Sequence, residues 1–242
     1  MLVAGAADAL FGLACAGLRV SWLSVRPPPG AAATQPTARV DHLIVGVPDL
    51  ERAIDDLAAR TGVRPAIGGS HPGRGTRNAL LALGPGVYLE ILAPDPAQVS
   101  DNPAVGQLRG LDRPTPIGWA VGTDDLDLIK ASLAKGGVAT TAPKAGGRRM
   151  PDGRTLSWRT FGLQGEERDS EPFFIRWDDM ASHPSRTSPA GCVVRKLAIA
   201  EPEPGRLERL VEALALDVAV ERSATAAMRI ELDCPAGRVA FP

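Results

Sequence analysis

Two patterns of apolar residues alternate along the chain: continuous apolar runs and apolar residues at helical spacing. Both first occur within residues 40–62. A nearly continuous apolar run at 40–47 predicts a mostly buried strand. After it, apolar residues recur at helical spacing, at Leu50, Ile54 and Leu57. Asp49 supplies an N-terminal cap, and Gly62 stands where a glycine commonly ends a helix. These signals predict a strand followed by a helix.

Three more strands are predicted directly after this helix. The segment 64–67 predicts a short strand, and two apolar runs joined through Gly84-Pro85-Gly86 predict a hairpin over 78–92. The first part of the fold is therefore predicted to be one βαβββ unit.

The same order of patterns occurs twice more. The second copy begins with a strand at 117–122 and a helix capped by Thr123 or Asp124, with later strands at 155–161 and 173–177. The third copy begins at 193–200. It continues with a helix at about 204–216 and strands at 227–232 and 237–241, and its shortness leaves open a truncated final strand.

A single βαβββ unit leaves one face of its curved sheet uncovered and buries too little apolar area to stand alone. We therefore predict an α+β fold in which two units pair their mixed sheets around a cleft. The predicted divisions are a leader with a Pro/Ala-rich linker at 1–39, a two-unit domain at 40–178 and a third unit at 193–242. The third unit packs either outside this pair or against a partner chain, as in a homodimer.

Residues 1–39 differ from the rest of the chain. An apolar run over 10–25 lacks the positive flank of a secretory signal and is too short for a confident membrane span. An organellar transit peptide and an extension from a misassigned start codon both stay open. We expect a soluble protein, with a cytoplasmic location favoured.

Charge and cysteine content exclude some classes of partner. The formal net charge of −1, with basic and acidic residues interspersed, predicts no binding to nucleic acid. Cys15, Cys192 and Cys234 are far apart and form no Cys-x-x-Cys pair. We therefore expect isolated reduced thiols rather than a disulfide framework or a zinc knuckle.

Four separated motifs resemble glyoxalase-like domain proteins of the vicinal oxygen chelate superfamily, which also includes bleomycin-resistance proteins and dioxygenases. They begin at Asp41-His42-Leu-Ile-Val-Gly, His71-Pro-Gly-Arg-Gly-Thr-Arg-Asn78, Tyr88-Leu-Glu90-Ile-Leu and Pro172-Phe-Phe-Ile-Arg-Trp177. The resemblance runs from about residue 40 to 242. It implies the cleft-forming fold and a small-molecule ligand, but the fold alone does not settle the reaction.

The resemblance also implies a divalent-metal site. Metal-binding members place a His on the first strand of a unit and a Glu on the last, positions that His42 and Glu90 match. Such ligands suit Zn, Ni, Mn or Fe. The second unit departs from this pattern, because Gly118 stands in place of the His and no acid lies near Ile175 or Arg176. The third unit departs too, with Lys196 in place of the His and no acid at residues 239–240. Glu90 is the predicted catalytic residue.

A glycine-rich segment at 70–78 is the predicted binding loop. Its His71, Arg74, Arg77 and Asn78 offer donors that can hold an anion, although a solvated connection with surface ion pairs fits equally well. Trp119 and Trp177 can form apolar walls for a ligand, or pack in the core. We assign His183 to a loop after the second unit.

Two functions from different classes remain open at this point. One is a metal-dependent lyase, isomerase or dioxygenase acting on a small molecule with vicinal oxygens. The alternative is a metal-free protein that binds or sequesters a small molecule in the same cleft. The departures in the second unit favour binding, whereas His42 with Glu90 favours the enzyme.

Overall fold

A computed structural model describes residues 37–150, 152–165 and 168–242, and three successive βαβββ units make up most of this part of the chain. The predicted leader lies almost wholly outside these residues. The elements of the first unit are β1 (Ala38–Gly46), α1 (Leu50–Thr61), β2 (Ala66–His71), β3 (Thr76–Ala82) and β4 (Tyr88–Pro94).

The second and third units repeat this order of elements. A short helix α2 (Pro103–Arg109) precedes the second unit, and a 3₁₀ turn (Met180–Ser182) and α4 (Pro184–Thr187) follow it. The second unit comprises β5 (Thr115–Thr123), α3 (Leu126–Lys135), β6 (Lys144–Arg149), β7 (Thr155–Phe161) and β8 (Phe173–Trp177). The third comprises β9 (Val193–Glu201), α5 (Gly205–Ala213), β10 (Ala219–Arg222), β11 (Ala227–Cys234) and β12 (Gly237–Phe241).

The strands of the first two units close into a barrel in the order β1-β4-β3-β2-β6-β7-β8-β5. The halves join along β1 and β5, which pair over most of their length. The other seam, between β2 and β6, has the single pair Ser70 with Arg149. The predicted α+β class with paired, curved mixed sheets is confirmed, and the cleft lies inside the barrel.

Helix α1 begins and ends where its capping residues predict. Asp49 Oδ1 accepts the backbone N–H of Arg52 at 3.0 Å, and Gly62 has a φ of 75°, a conformation that costs glycine little. The prediction for α3 was wrong by one or two residues. Its N-cap is Asp125, whose Oδ1 accepts the backbone N–H groups of Asp127 and Leu128.

The predicted binding loop at 70–78 is instead a tight β-hairpin. Gly73 and Gly75 adopt φ values of 72° and 70°, so the chain reverses within a few residues and both flanks continue as β2 and β3. His71 and Asn78 therefore lie on strands rather than on a loop. Strand positions are held by the sheet on both sides, so these side chains have fixed directions.

The third unit forms a separate sheet of order β10-β9-β11-β12 that is complete in strand number. It contacts the barrel through the end of α1, where Ala236 N donates to Thr61 O at 3.0 Å and Arg60 Nη2 donates to Ala240 O at 3.1 Å. Buried apolar side chains of both parts belong to one continuous core. The third unit thus covers the barrel's helical side. In the described part of the chain, no helix has the length and apolar character to cross a membrane.

Cys192 and Cys234 form a disulfide bond, which corrects the expectation of isolated thiols. Cys192 immediately precedes β9, and Cys234 is the last residue of β11. These two strands are antiparallel neighbours in which Val193 pairs with Asp233. The two thiols are 42 residues apart in sequence, and only the strand pairing brings them together. Lasting disulfides are typical of proteins in oxidising compartments. Cys15 lies outside the described residues.

Candidate functional site

The barrel interior contains a cleft of about 670 Å³. Seven polar or aromatic residues that the sequence singled out line it: His42, His71, Arg74, Asn78, Glu90, Trp119 and Trp177. They come from β1, the β2–β3 hairpin, β4, β5 and β8, because alternate side chains of a barrel strand point inward. The cleft therefore draws on both units of the barrel.

Arg77 does not line the cleft. It neighbours Asn78 on β3, so its side chain points to the opposite face of the sheet. There its Nη1 and Nη2 donate to the two carboxylate oxygens of Glu51 on α1, at 2.7 and 2.6 Å. The solvated-pair interpretation fits Arg77, and the predicted anion role fits the other members of the segment better.

A bulge in β1 lets two adjacent residues reach the same site. The pairing of β1 with β5 shifts register between Val40 and His42, which leaves Asp41 unpaired. Asp41 Oδ1 lies 2.7 Å from Nδ1 of His42, and both side chains are buried. Because an ionised carboxylate only accepts hydrogen bonds, Nδ1 carries the proton and Nε2 of a neutral His42 presents a lone pair.

Asp41 has two further donors, His183 and Trp177. His183 Nε2 lies 3.1 Å from Oδ2, and Trp177 Nε1 donates to the same oxygen at 3.1 Å. Burial opposes ionisation of Asp41, but the hydrogen bonds from His183 and His42 lower its pKa to about 2. Asp41 is thus an ionised carboxylate at neutral pH.

His183 lies in the predicted turn after β8, but it also contacts the site. It is fully buried and caps α4, where the backbone N–H of Ser185 donates to its Nδ1 at 3.2 Å. That bond leaves the proton on Nε2, the nitrogen that faces Asp41. The sequence signal was the turn Ser182-His183-Pro184-Ser185, which favours capping but does not indicate which carboxylate the ring meets.

Glu90 lies between two imidazoles. Its Oε2 is 3.7 Å from Nε2 of His42, and its Oε1 is 3.7 Å from Nε2 of His71. Asn78 Nδ2 donates to Oε1 at 2.6 Å. Burial alone would raise the pKa of Glu90, but His71, His42, Asn78 and Arg148 together hold it below its ordinary value. Glu90 is therefore ionised in the cleft.

His71 is held by the turn of its own hairpin. Its Nδ1 lies 2.9 Å from the hydroxyl oxygen of Thr76. Burial lowers the pKa of His71 more than the neighbouring Glu90 raises it. The ring is accordingly neutral near pH 7, with Nε2 facing Glu90 and the amide of Asn78.

The two tryptophans differ in position. Trp119 is fully buried, and its Nε1 donates to the backbone oxygen of Ser170 at 2.9 Å, so its ring belongs mainly to the core. Trp177 is slightly exposed and meets Trp158 edge-on with ring centroids 5.2 Å apart. Trp177 thus forms part of the cleft wall and also donates a hydrogen bond to Asp41.

The pairing of strands identifies the second-unit positions that match His42 and Glu90. His42 pairs with Ala120 and Ile44 pairs with Gly118, so Gly118 is the counterpart of His42. Ile44 pairs with Glu90 in the first unit, and Ala120 pairs with Phe173 in the second. Phe173, rather than Ile175 or Arg176, is therefore the counterpart of Glu90. Neither Gly118 nor Phe173 can bind a metal through its side chain.

For a divalent ion, only the first unit therefore supplies side chains of the kind that metal-binding members use as ligands. His42 and Glu90 are chemically suitable, and Asp41 holds the other nitrogen of His42 as outer carboxylates do for metal-bound imidazoles. Within residues 37–150, 152–165 and 168–242, no group of three or more His, Cys, Asp or Glu side chains could hold a metal ion. The residues present do not fit a complete, resident metal centre.

Comparison with known proteins places this geometry in a family. The model of the glyoxalase-like domain family matches residues 40–215. The chain belongs to this family. It is accordingly a member of the vicinal oxygen chelate superfamily, as the motifs predicted. A search of curated proteins found no match.

Solved structures of the same fold include a hypothetical protein from Staphylococcus aureus, which is 14% identical with a TM-score of 0.62, covering 85% of this chain and 99% of that protein. Methylmalonyl-CoA epimerase from Mycobacterium tuberculosis is 23% identical with a TM-score of 0.41, covering 60% of this chain and 90% of the epimerase. An epimerase variant from Streptomyces coelicolor, solved with 2-nitronate-propionyl-CoA, is 21% identical with a TM-score of 0.43, covering 58% and 98%. The likeness to the Staphylococcus aureus protein concerns the fold alone.

Proposed function

We propose that this chain is a small-molecule isomerase or lyase that transfers a proton at a carbon next to a carbonyl group, with His42 and Glu90 as the reacting side chains. The observation that carries the proposal is the buried contact series from Asp41 through His42 to Glu90 at the wall of the cleft. An acid, an imidazole and a second carboxylate in series are suited to moving a proton.

His42 is the proton acceptor in this proposal. Its Nδ1–H is fixed on Asp41, so the lone pair of Nε2 is available to a ligand in the cleft. When the substrate C–H bond breaks, its electron pair remains on the substrate as an enolate and the proton binds Nε2. The ionised carboxylates on either side, Asp41 and Glu90, stabilise the imidazolium that forms.

Glu90 is placed to pass that proton on. The distance of 3.7 Å between its Oε2 and Nε2 of His42 is too long for a hydrogen bond, so both atoms remain free to contact a ligand from the same side of the cleft. Asn78 fixes the other oxygen, so the carboxylate does not rotate freely. A lyase or an isomerase would differ in which substrate atom then receives the proton.

Replacement of His42 by alanine or of Glu90 by glutamine should reduce proton exchange at least about 100-fold, the usual contribution of a general acid or base. The assay is proton NMR of a panel of small oxo acids and hydroxy ketones in D₂O, which detects loss of the α-proton signal. Arg77→Gln is the matched control, because Arg77 lies on the outer face. Undiminished exchange in both site variants would sink the proposal.

A divalent ion on His42 and Glu90 is the alternative cofactor chemistry. The ion would polarise a substrate oxygen when bound. If His42 and Glu90 form only half of a metal site, elemental analysis of protein purified without chelator should show roughly tenfold less divalent metal than the one equivalent of a tight site. About one equivalent of Zn, Ni, Mn or Fe, lost in His42→Ala, would establish a metal enzyme instead.

Metal-free ligand binding is the second candidate function. Gly118 and Phe173 in the second unit favour it, because they remove half of the family's polar pattern from the cleft. The same NMR panel distinguishes the two. A compound whose resonances broaden on binding, with no loss of the α-proton signal, would identify a binding protein.

A further inference from the structure

Arg148 is a buried arginine at the seam between the two halves of the barrel. It lies on β6, next to Arg149, whose pairing with Ser70 is the seam's single β-pair. Its side chain crosses to the first unit, where Nη1 donates to Asn78 Oδ1 at 3.2 Å. Arg148 is 4% exposed and lines the same cleft as His42 and Glu90. The sequence reasoning had not singled it out.

The positive charge of Arg148 has no counter-ion among the described residues. No Asp or Glu oxygen there lies within 4.0 Å of its nitrogens, and its Nε has no hydrogen-bond partner. Burial lowers the pKa of Arg148, although a guanidinium stays protonated at any ordinary pH. A buried charge without a partner is costly, so proteins retain one mainly where a ligand neutralises it.

Asn78 explains why Glu90 does not neutralise this guanidinium. The amide stands between them, donating Nδ2 to Glu90 and accepting from Arg148 on Oδ1. The carboxylate and the guanidinium are thereby kept apart, each bound to one end of the same side chain. The hydrogen-bonding capacity of Arg148 that Asn78 does not use remains available to a molecule in the cleft.

Other cations in the cleft strengthen its preference for an anion. Arg74 and Lys144 also line it, and neither forms an ion pair with a described residue. Arg168 lines it too, but it is 3.6 Å from Glu201. On the acidic side, the cleft is lined by Glu90, by Asp169 and by Glu171, which is 3.3 Å from Arg206. Arg148, Arg74 and Lys144 are therefore the cations of the cleft that form no ion pair with a described residue.

We propose that Arg148 binds a carboxylate group of the substrate and thereby orients the substrate's reacting carbon toward His42. This inference rests on the proposed function, and it makes the substrate a small carboxylic acid with a carbonyl group. A guanidinium suits a carboxylate because two parallel N–H groups match its two oxygens. An inorganic oxyanion such as phosphate shares part of this chemistry, so the experiment includes it.

The test is calorimetric titration with 2-oxobutyrate, 2-oxoglutarate, the methyl ester of 2-oxobutyrate and inorganic phosphate. We expect at least one oxo acid to bind the wild type, with affinity reduced tenfold or more in Arg148→Gln and for the ester. Arg77→Gln, the matched control on the outer face, should bind as the wild type does. Calorimetry detects binding without any proton transfer, so a failed proton-transfer hypothesis would not hide a correct binding site.

Three results would overturn the proposal. They are the absence of binding by either oxo acid, equal binding by the acid and its ester, and unchanged binding in Arg148→Gln. Phosphate binding more tightly than both acids would reassign the site to a phosphate group. Thermal unfolding shows whether the variant is folded, and Arg148→Lys, which keeps the charge without the fork, gives a second variant that should bind more weakly than wild type.

Discussion

Replacing Asp41 with alanine should lower the free energy of unfolding by about 3–5 kcal/mol, the usual cost of removing one member of a buried charged group. The reason is that Asp41 is fully buried and serves three donors, on His42, Trp177 and His183. Without the carboxylate these donors are buried and unsatisfied. Urea denaturation at pH 7 measures the loss.

The matched control for Asp41→Ala is Asp49→Ala. Asp49 is an exposed N-cap of α1, so its loss should cost only about 1 kcal/mol. If Asp41→Ala lowered the free energy of unfolding no more than Asp49→Ala does, the hydrogen bonds of Asp41 would not contribute to stability as expected.

The same residue should make the protein sensitive to acid. Its pKa is lowered from 3.8 to about 2 on folding, so its ionisation stabilises the folded state fully above pH 3.8 and loses that effect as pH falls through about 2. The shift corresponds to about 2 kcal/mol. The difference in unfolding free energy between wild type and Asp41→Asn should therefore shrink between pH 4 and 2. A constant difference over that range would contradict the assignment.

Loss of the bond between Cys192 and Cys234 should destabilise the protein by about 4 kcal/mol, as chain entropy predicts for a loop of this size. The cysteines are 42 residues apart in sequence, and the segment between them includes β9, α5, β10 and most of β11, so the bond restricts much of the third unit when it is unfolded. Denaturation with and without reductant measures the effect.

The double variant Cys192→Ala/Cys234→Ala serves as the control for reduction. It should unfold at the same denaturant concentration with or without reductant, near the midpoint of the reduced wild type. Alkylation and mass measurement of unreduced protein would show whether the bond exists. Two alkylated thiols at these positions, or no response of the wild type to reductant, would contradict the prediction.

Local signals in the sequence determined the elements. Helical spacing of Leu50, Ile54 and Leu57, with Asp49 and Gly62 as caps, defined α1 correctly because capping and periodicity act within a few residues. The repeat of this pattern predicted three units, and the burial needs of one unit predicted the pairing. His42 and Glu90 were singled out by the resemblance to metal-binding members, and Glu90 also because an unpaired carboxylate in an apolar strand is costly.

The tertiary structure alone decided how those residues are connected. Strand register, which a local pattern does not encode, decided three features. They are the bulge at Asp41, the equivalence of Phe173 in the second unit to Glu90 in the first, and the disulfide. His183 and Arg148 reach the site from positions far along the chain. Their partners, Asp41 and Asn78, are 142 and 70 residues away in sequence. Closure of the barrel brings these charges together in a low-dielectric interior, which is where their interactions become strong.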